Sequence, residues 1–296
     1  MATLSDLQFS YRGLVFGEGS EFGVNRVEGL EGFETRVSDA DLPRSDGAIR
    51  GVDFVAPRLV TFELAIIELT GGATTYEQYW AQIRAAFRPS RTEDLPLTFA
   101  RPGMPERFIR ARPVSLIRTE TYRRYNVVGF PPIALRAADP RIYSAELHSA
   151  NAAVYSSVGG GADFGLDYGV DFTGGVQTEL VVDNAGDADA FPVVRFYGPT
   201  AGTCTGVSLT NTTTGQVLDI NAAVASGQIL TADMEAAVTG ANRLVVALGG
   251  SSRYGSWAQP RTPFALAPGS NVLRFEVDGT TTDMVANLQW RDTWLD

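Results

Sequence analysis

Between Pro263 and Leu295 two runs of the chain alternate apolar and polar residues with a period of two. After the turn Pro268-Gly269-Ser270-Asn271, the residues Leu273, Phe275 and Val277 alternate with Arg274, Glu276 and Asp278. A second run sets Met284, Ala286, Leu288 and Trp290 against Asn287, Gln289 and Arg291. Successive side chains of a strand point to opposite faces, so each run buries one face and wets the other. A helix cannot use this pattern. The tail therefore commits the chain to half-buried β-structure and predicts a β-sandwich.

The same grammar extends upstream. Short strands are expected at Phe9–Gly17, Val24–Leu30, Phe33–Ser38 and Ile49–Val55, and a longer one at Leu59–Leu69 with Val60, Phe62, Leu64 and Ile66 on one face. One helix interrupts them, over 75–88. Thr74-Thr75-Tyr76-Glu77 fits a capping box, Tyr76, Tyr79, Trp80, Ile83 and Phe87 share a helical stripe, and Pro89 ends it. Strands follow at Leu95–Ala100, Arg107–Arg118 and Tyr122–Leu135, with Pro113 marking a bulge or an edge.

Gly159-Gly160-Gly161 suggests a junction, and the alternating ADFGLDYGVDF after it suggests a strand. Further strands are expected at Thr178–Asp183, Phe191–Tyr197, Val207–Thr210, Gln216–Ile220, Ile229–Val238 and Leu244–Leu248. Short strands at this spacing indicate an antiparallel sandwich or jelly roll. We expect a mainly β protein of three parts: a domain over 1–145 with the helix, a junction and first strand over 146–175, and a sandwich over 176–296.

Charge supports the division. All 24 basic residues are arginines, because the chain has no lysine. Residues 1–145 hold 18 arginines and 18 acids, whereas residues 146–296 hold 6 arginines and 16 acids, so the whole net charge of −10 lies in the second half. That balance argues against a sequence-specific nucleic-acid binder. No apolar run reaches the length of a membrane span, and residues 1–13 show no secretory leader pattern.

Chemistry-bearing residues are sparse. With one cysteine, Cys204, no intrachain disulfide or cysteine-based metal cluster can form. The one histidine, His148, stands near the junction without a recognisable partner. Asp183 with Asp187 or Asp189, and Glu276 with Asp278, are weak candidates for an acid/base pair. Asp163, Asp167 and Asp171 on one strand are spread too far for one Ca²⁺. We therefore assign no catalytic, metal or cofactor residues. Two binding sets remain. Arg110, Arg112, Arg118, Arg123 and Arg124 suit ion pairs across a subunit contact. Tyr254 and Trp257, in the polar loop SSRYGSWAQP, are expected to be exposed and could stack on sugars.

Several segments together carry a family resemblance. These are the strand–helix segment Val60 to Phe87, the pair PLTFARPG and ERFIRARPVS, the stretch GGGADFGLDYGVDF, the segment VVDNAGDADAFPVVRFYGP, and PFALAPGSNVLRFEV with the terminal WRDTWL. In order and spacing they resemble the distal tail proteins (Dit) of siphovirus-type bacteriophages. The resemblance implies a non-enzymatic virion protein at the tail tip, assembled in the host cytoplasm. Its N-terminal β domain would form a ring, usually a hexamer, between the tail tube protein and the tail-associated hub protein. Its C-terminal sandwich would be galectin-like and project outward, DNA would pass through the ring, and receptor-binding proteins could dock on it. The alternative is a minor tail protein whose sandwich binds host-surface glycans. A wall-degrading glycosidase is a third, weaker reading.

Overall fold

The structure, a computed structural model, describes residues 4–67, 76–118, 127–129, 132–154, 179–240, 244–279 and 283–295. Thr74, Thr75, Arg123, Arg124, the Gly159–Gly161 junction and the alternating segment after it lie outside the described residues. The chain divides into two compact units, Met1–Glu146 with Trp294–Asp296, and Leu147–Thr293. Both are built from antiparallel strands, so the mainly β expectation holds.

In chain order the first unit contains β1 (Gln8–Tyr11), β2 (Leu14–Gly17), β3 (Phe22–Glu28), β4 (Thr35–Arg36), β5 (Ala40–Asp41), β6 (Ala48–Ile49), β7 (Phe54–Val55), β8 (Arg58–Ile67), α1 (Tyr76–Ala86), β9 (Leu95–Phe99), β10 (Arg107–Ser115), β11 (Val127–Gly129), β12 (Ile133–Ala137) and β13 (Ile142–Ser144). The main sheet runs β11-β8-β12-β10-β9-β1-β2, with β3 also on β8 and β13 on β10. The expected single strand Phe9–Gly17 is instead a hairpin. Arg12 and Gly13 both take positive φ, 48° and 82°, which gives a two-residue turn whose twist matches its strands.

The core of this unit is aromatic. Val60, Phe62, Leu64 and Ile66 of β8 are buried together, as their alternation predicts. Phe62 meets Phe9 and Phe16 edge-on at 5.1 and 5.2 Å between centroids, and Tyr11 stacks on Phe87 at 5.4 Å. Helix α1 contributes Tyr79, Trp80, Ile83 and Ala86 from one stripe. Arg12 donates to the Arg88 carbonyl at 2.8 Å, placing a cation where the helix dipole is negative. In β10 the register shifts after Pro113, the expected bulge.

Two features shape this unit further. Arg58 is buried, and its guanidinium donates to three carbonyls far apart in sequence: Pro140 at 2.6 Å, Leu30 at 2.9 Å and Leu295 at 2.7 Å. Trp294 is buried in the same core, with the Arg107 guanidinium 3.7 Å from its ring centroid. Beyond Leu30 the chain leaves the core as a ribbon. In that ribbon β4 pairs with β7 and β5 with β6, each pair forming its own two-stranded sheet.

The second unit contains β14 (His148–Ala153), β15 (Leu180–Asn184), β16 (Val193–Tyr197), β17 (Thr203–Cys204), β18 (Gly206–Asn211), β19 (Gln216–Ile220), β20 (Val224–Ala225), β21 (Ile229–Asp233), α2 (Met234–Thr239), β22 (Val246–Leu248), β23 (Ser251–Ser252), β24 (Gly269–Asp278) and β25 (Val285–Trp290). A six-stranded sheet, β14-β25-β16-β21-β22-β23, shares one core with a four-stranded sheet, β15-β24-β18-β19. Phe196 of the first and Phe275 of the second touch at 5.4 Å. The two alternating strands of the tail therefore enter different sheets. The expected strand over Ile229–Val238 stops at Asp233. That side chain accepts from the Ala236 N–H at 2.8 Å and starts α2, which Gly240 ends in the left-handed conformation.

Replacing Arg58 by Met is expected to destabilise the first unit by about 3–5 kcal/mol, because one buried and two half-buried carbonyls lose their shared donor. Trp294→Ala should cost a similar amount, about 3–5 kcal/mol, through a cavity. Hydrogen exchange under mild denaturant checks both: protection should fall in β8 and β10 and persist in β16 and β24.

Candidate functional site

The structure separates the expected arginine set by partner. Arg118 grips Glu77 of α1 with two N–H groups, at 2.6 and 3.3 Å, and lies over the Trp80 ring. It acts as a clamp between the end of β10 and the helix. Arg112 pairs with Asp94 at 3.0 Å. Arg110 lies 5.2 Å from the Tyr143 ring centroid and 5.6 Å from that of Phe108. Each of these three is thus engaged inside its own unit, a placement that sequence spacing did not reveal.

Beside Arg110 is a half-buried polar cluster. Tyr143 donates its hydroxyl to Asp139, which also accepts from Arg141 Nη1 at 3.1 Å and from the Arg141 backbone N–H at 3.2 Å. Burial, reinforced by the Asp139 carboxylate, holds the Tyr143 phenol well above its ordinary pKa. Tyr11, whose hydroxyl donates to the Ala111 carbonyl at 3.0 Å, is raised by burial as well.

In the second unit Tyr254 is exposed, at 45%, and carries the Arg261 guanidinium 4.9 Å from its ring centroid. Trp257 differs from the expectation of exposure: it is 3% exposed and part of the core. Its backbone bridges to Ile220, and the Ala258 N–H donates to the Asp219 carbonyl, so the loop is stitched to β19 and the indole turns inward. Only Tyr254 of the pair is presented to solvent.

His148 does have a partner. Its Nε2 is 3.0 Å from Asp292 Oδ2, and its ring is tilted against Trp290 at 5.5 Å. The other oxygen of Asp292 accepts from the Ala185 N–H at 3.0 Å. The pair fastens β14 and the Asn184–Ala190 turn to the end of β25; a separation of 144 residues leaves no local signal for it. Cys204 is fully buried, and burial raises its thiol above the usual range, the wrong direction for a reactive thiolate.

Three buried asparagines, Asn184, Asn211 and Asn271, serve the same unit as internal backbone substitutes. Asn271 donates to the Ala267 and Gly269 carbonyls and accepts from the Ala267 N–H and from Asn211. Asn211 also receives the Thr213 N–H, and Asn184 bridges the Ala188 and Leu266 carbonyls. Their polar atoms are spent on turn geometry. Among the described residues no group of three or more His, Cys, Asp or Glu side chains could hold a metal ion, and no helix is long and apolar enough to cross a membrane.

Comparison with solved structures gives fold neighbours for the whole chain. The crystal structure of SPP1 Dit, described as a paradigm of the hub adsorption apparatus in phages infecting Gram-positive bacteria, is similar with a TM-score of 0.61. It is 14% identical, over 95% of this chain and 97% of that one. A chain of the phage P2 baseplate in its activated conformation with Ca is similar with a TM-score of 0.50 and 10% identity, over 95% and 97%. At these identities the likeness is one of fold. A family model described as SecD/SecF GG Motif matches residues 162–185 alone, too short a segment to define a family for the chain. No curated relative matches the sequence.

The buried tyrosines set an alkaline limit. A free tyrosine has a pKa of 10.0, while Tyr143 keeps its proton in the folded chain, so the unfolded state binds fewer protons at high pH. The stability contributed by Tyr143 is complete below pH 10.0 and is lost as the pH climbs beyond it toward the raised folded value. Tyr143→Phe removes the titrating hydroxyl. Alkaline unfolding followed by circular dichroism should then have its midpoint at higher pH than in the unmodified chain.

Proposed function

We propose that this chain is a structural protein of a phage tail tip, of the distal-tail type, that assembles with copies of itself into a ring, most simply a hexamer. In this reading the ring joins the tail tube protein to the tail-associated hub protein and leaves a channel for DNA. The virion is its location and no reaction is assigned to it. The observation that carries the reading is the likeness to SPP1 Dit across 95% of this chain and 97% of that one, which takes in both units rather than a common β module. The internal chemistry agrees: His148 and the buried asparagines hold strands and turns, and Cys204 is a buried free thiol. Purified chain viewed by negative stain, together with labelled tails, tests this. Closed rings and label confined to the tail tip are expected. A strict monomer that is also missing from assembled tails would refute it.

The second unit, in the same proposal, is the solvated appendage. A glycan-binding role for it has one observation in its favour, the exposed Tyr254 ring. If that role is correct, Tyr254→Ala abolishes binding to host envelope fractions while leaving ring assembly intact. Unchanged binding would remove Tyr254 from the role.

A further inference from the structure

Among the described residues nothing covers the ribbon beyond Leu30. From Glu31 to Phe54 every residue is exposed except Leu42 and Gly51. Phe33, Val37, Ile49, Val52 and Phe54 are 52–68% exposed, although each is large and apolar. A two-stranded ribbon alone is marginal in water, and a run of exposed apolar side chains marks a contact surface. The ribbon is also net acidic, with Glu31, Glu34, Asp39, Asp41, Asp46 and Asp53 against Arg36, Arg44 and Arg50. Asp53 pairs with Arg50, Asp39 accepts from the Gly51 N–H, and Glu31 pairs with Arg101. Glu34, Asp41 and Asp46 have no side-chain partner among the described residues.

The same unit carries a surface of opposite character. On β10, Arg110, Arg112 and Val114 alternate with buried Ile109, Ala111 and Pro113 and so face outward. Arg112 stands directly opposite Arg136 of β12, and Arg136 opposite Leu59 of β8. Like charges in direct cross-strand register repel. Asp94 answers Arg112, but Arg136 is exposed and has no ion-pair partner among the described residues. Leu59 and Val114, at 54% and 51% exposed, give this face apolar footing beside its guanidinium groups.

We propose that the ribbon of one copy lies on the Arg112–Arg136 face of a second copy, with Glu34, Asp41 and Asp46 supplying the charge that Arg136 lacks. Both halves of the complementarity belong to one chain, so a head-to-tail contact satisfies each copy with no second species, and such contacts form a ring when the rotation between copies closes. The inference rests on the self-assembly proposed above and adds the surfaces that make it.

Three variants of the full chain test it: Arg136→Glu; Glu34→Arg, Asp41→Arg and Asp46→Arg together; and all four changes in one chain. All four sites are exposed, and circular dichroism confirms folding. Mass photometry at low ionic strength reads assembly. The first two variants should raise the concentration needed for assembly by about tenfold or more, and the combined variant should recover it. A salt series on the unmodified chain should weaken assembly in parallel. Rings that form equally well in all variants would overturn the ribbon contact while leaving the ring itself standing. Weakening without recovery in the combined variant would overturn the pairing. A monomeric unmodified chain would remove the ring reading and the ribbon contact together.

Discussion

The first unit depends on one buried cation. Arg58 opens β8, and its planar fork reaches three carbonyls, at Leu30, Pro140 and Leu295. A guanidinium can do this because its donors diverge in a fixed plane; an ammonium presents one point. Removing a charge from water is costly, and the cost is offset here by carbonyl dipoles at 2.6–2.9 Å. The reach of that group decides where three segments meet: the root of the ribbon, the link from β12 to β13, and the end of the described chain. Gly29 completes the root. Its φ of +76° and the Leu59 carbonyl, 2.0 Å from where a Cβ would stand, leave no room for another residue.

The second unit is organised differently. Among its described residues there is no such cation; its turns are held by amides. Asn184, Asn211 and Asn271 replace missing ladder bonds with side-chain bonds, and Asp292 joins the Asn184 turn to His148. Amide and carboxylate supports of this kind suit a domain whose arginines number only 6 against 14 acids.

How much of this could be read beforehand follows from the range of each interaction. The alternation Val60, Phe62, Leu64, Ile66 and the stripe Tyr79, Trp80, Ile83, Phe87 gave burial correctly, because one periodic segment carries the whole signal. Alternation names a face but not a neighbour, so the two tail strands were legible as strands while their assignment to opposite sheets was not. The strand expected to run to Val238 broke at Asp233 because a local cap outcompeted the apolar run. Trp257 was placed outside because its loop is polar; a bridge to Ile220 turned it in. The partners of Arg112 and Arg118 lie 18 and 41 residues away, beyond any local pattern. The ribbon was legible as short strands, but nothing in its residues says that no further layer covers them.

The return of Trp294 and Leu295 to the first unit sets an order of events during synthesis. Residues 147–293 emerge from the ribosome before the indole that fills the first core and the carbonyl that Arg58 awaits. The half translated first must wait, incomplete, until the half translated second has been made. Chaperone demand should therefore be greatest on nascent chains from which Trp294 and Leu295 have yet to emerge.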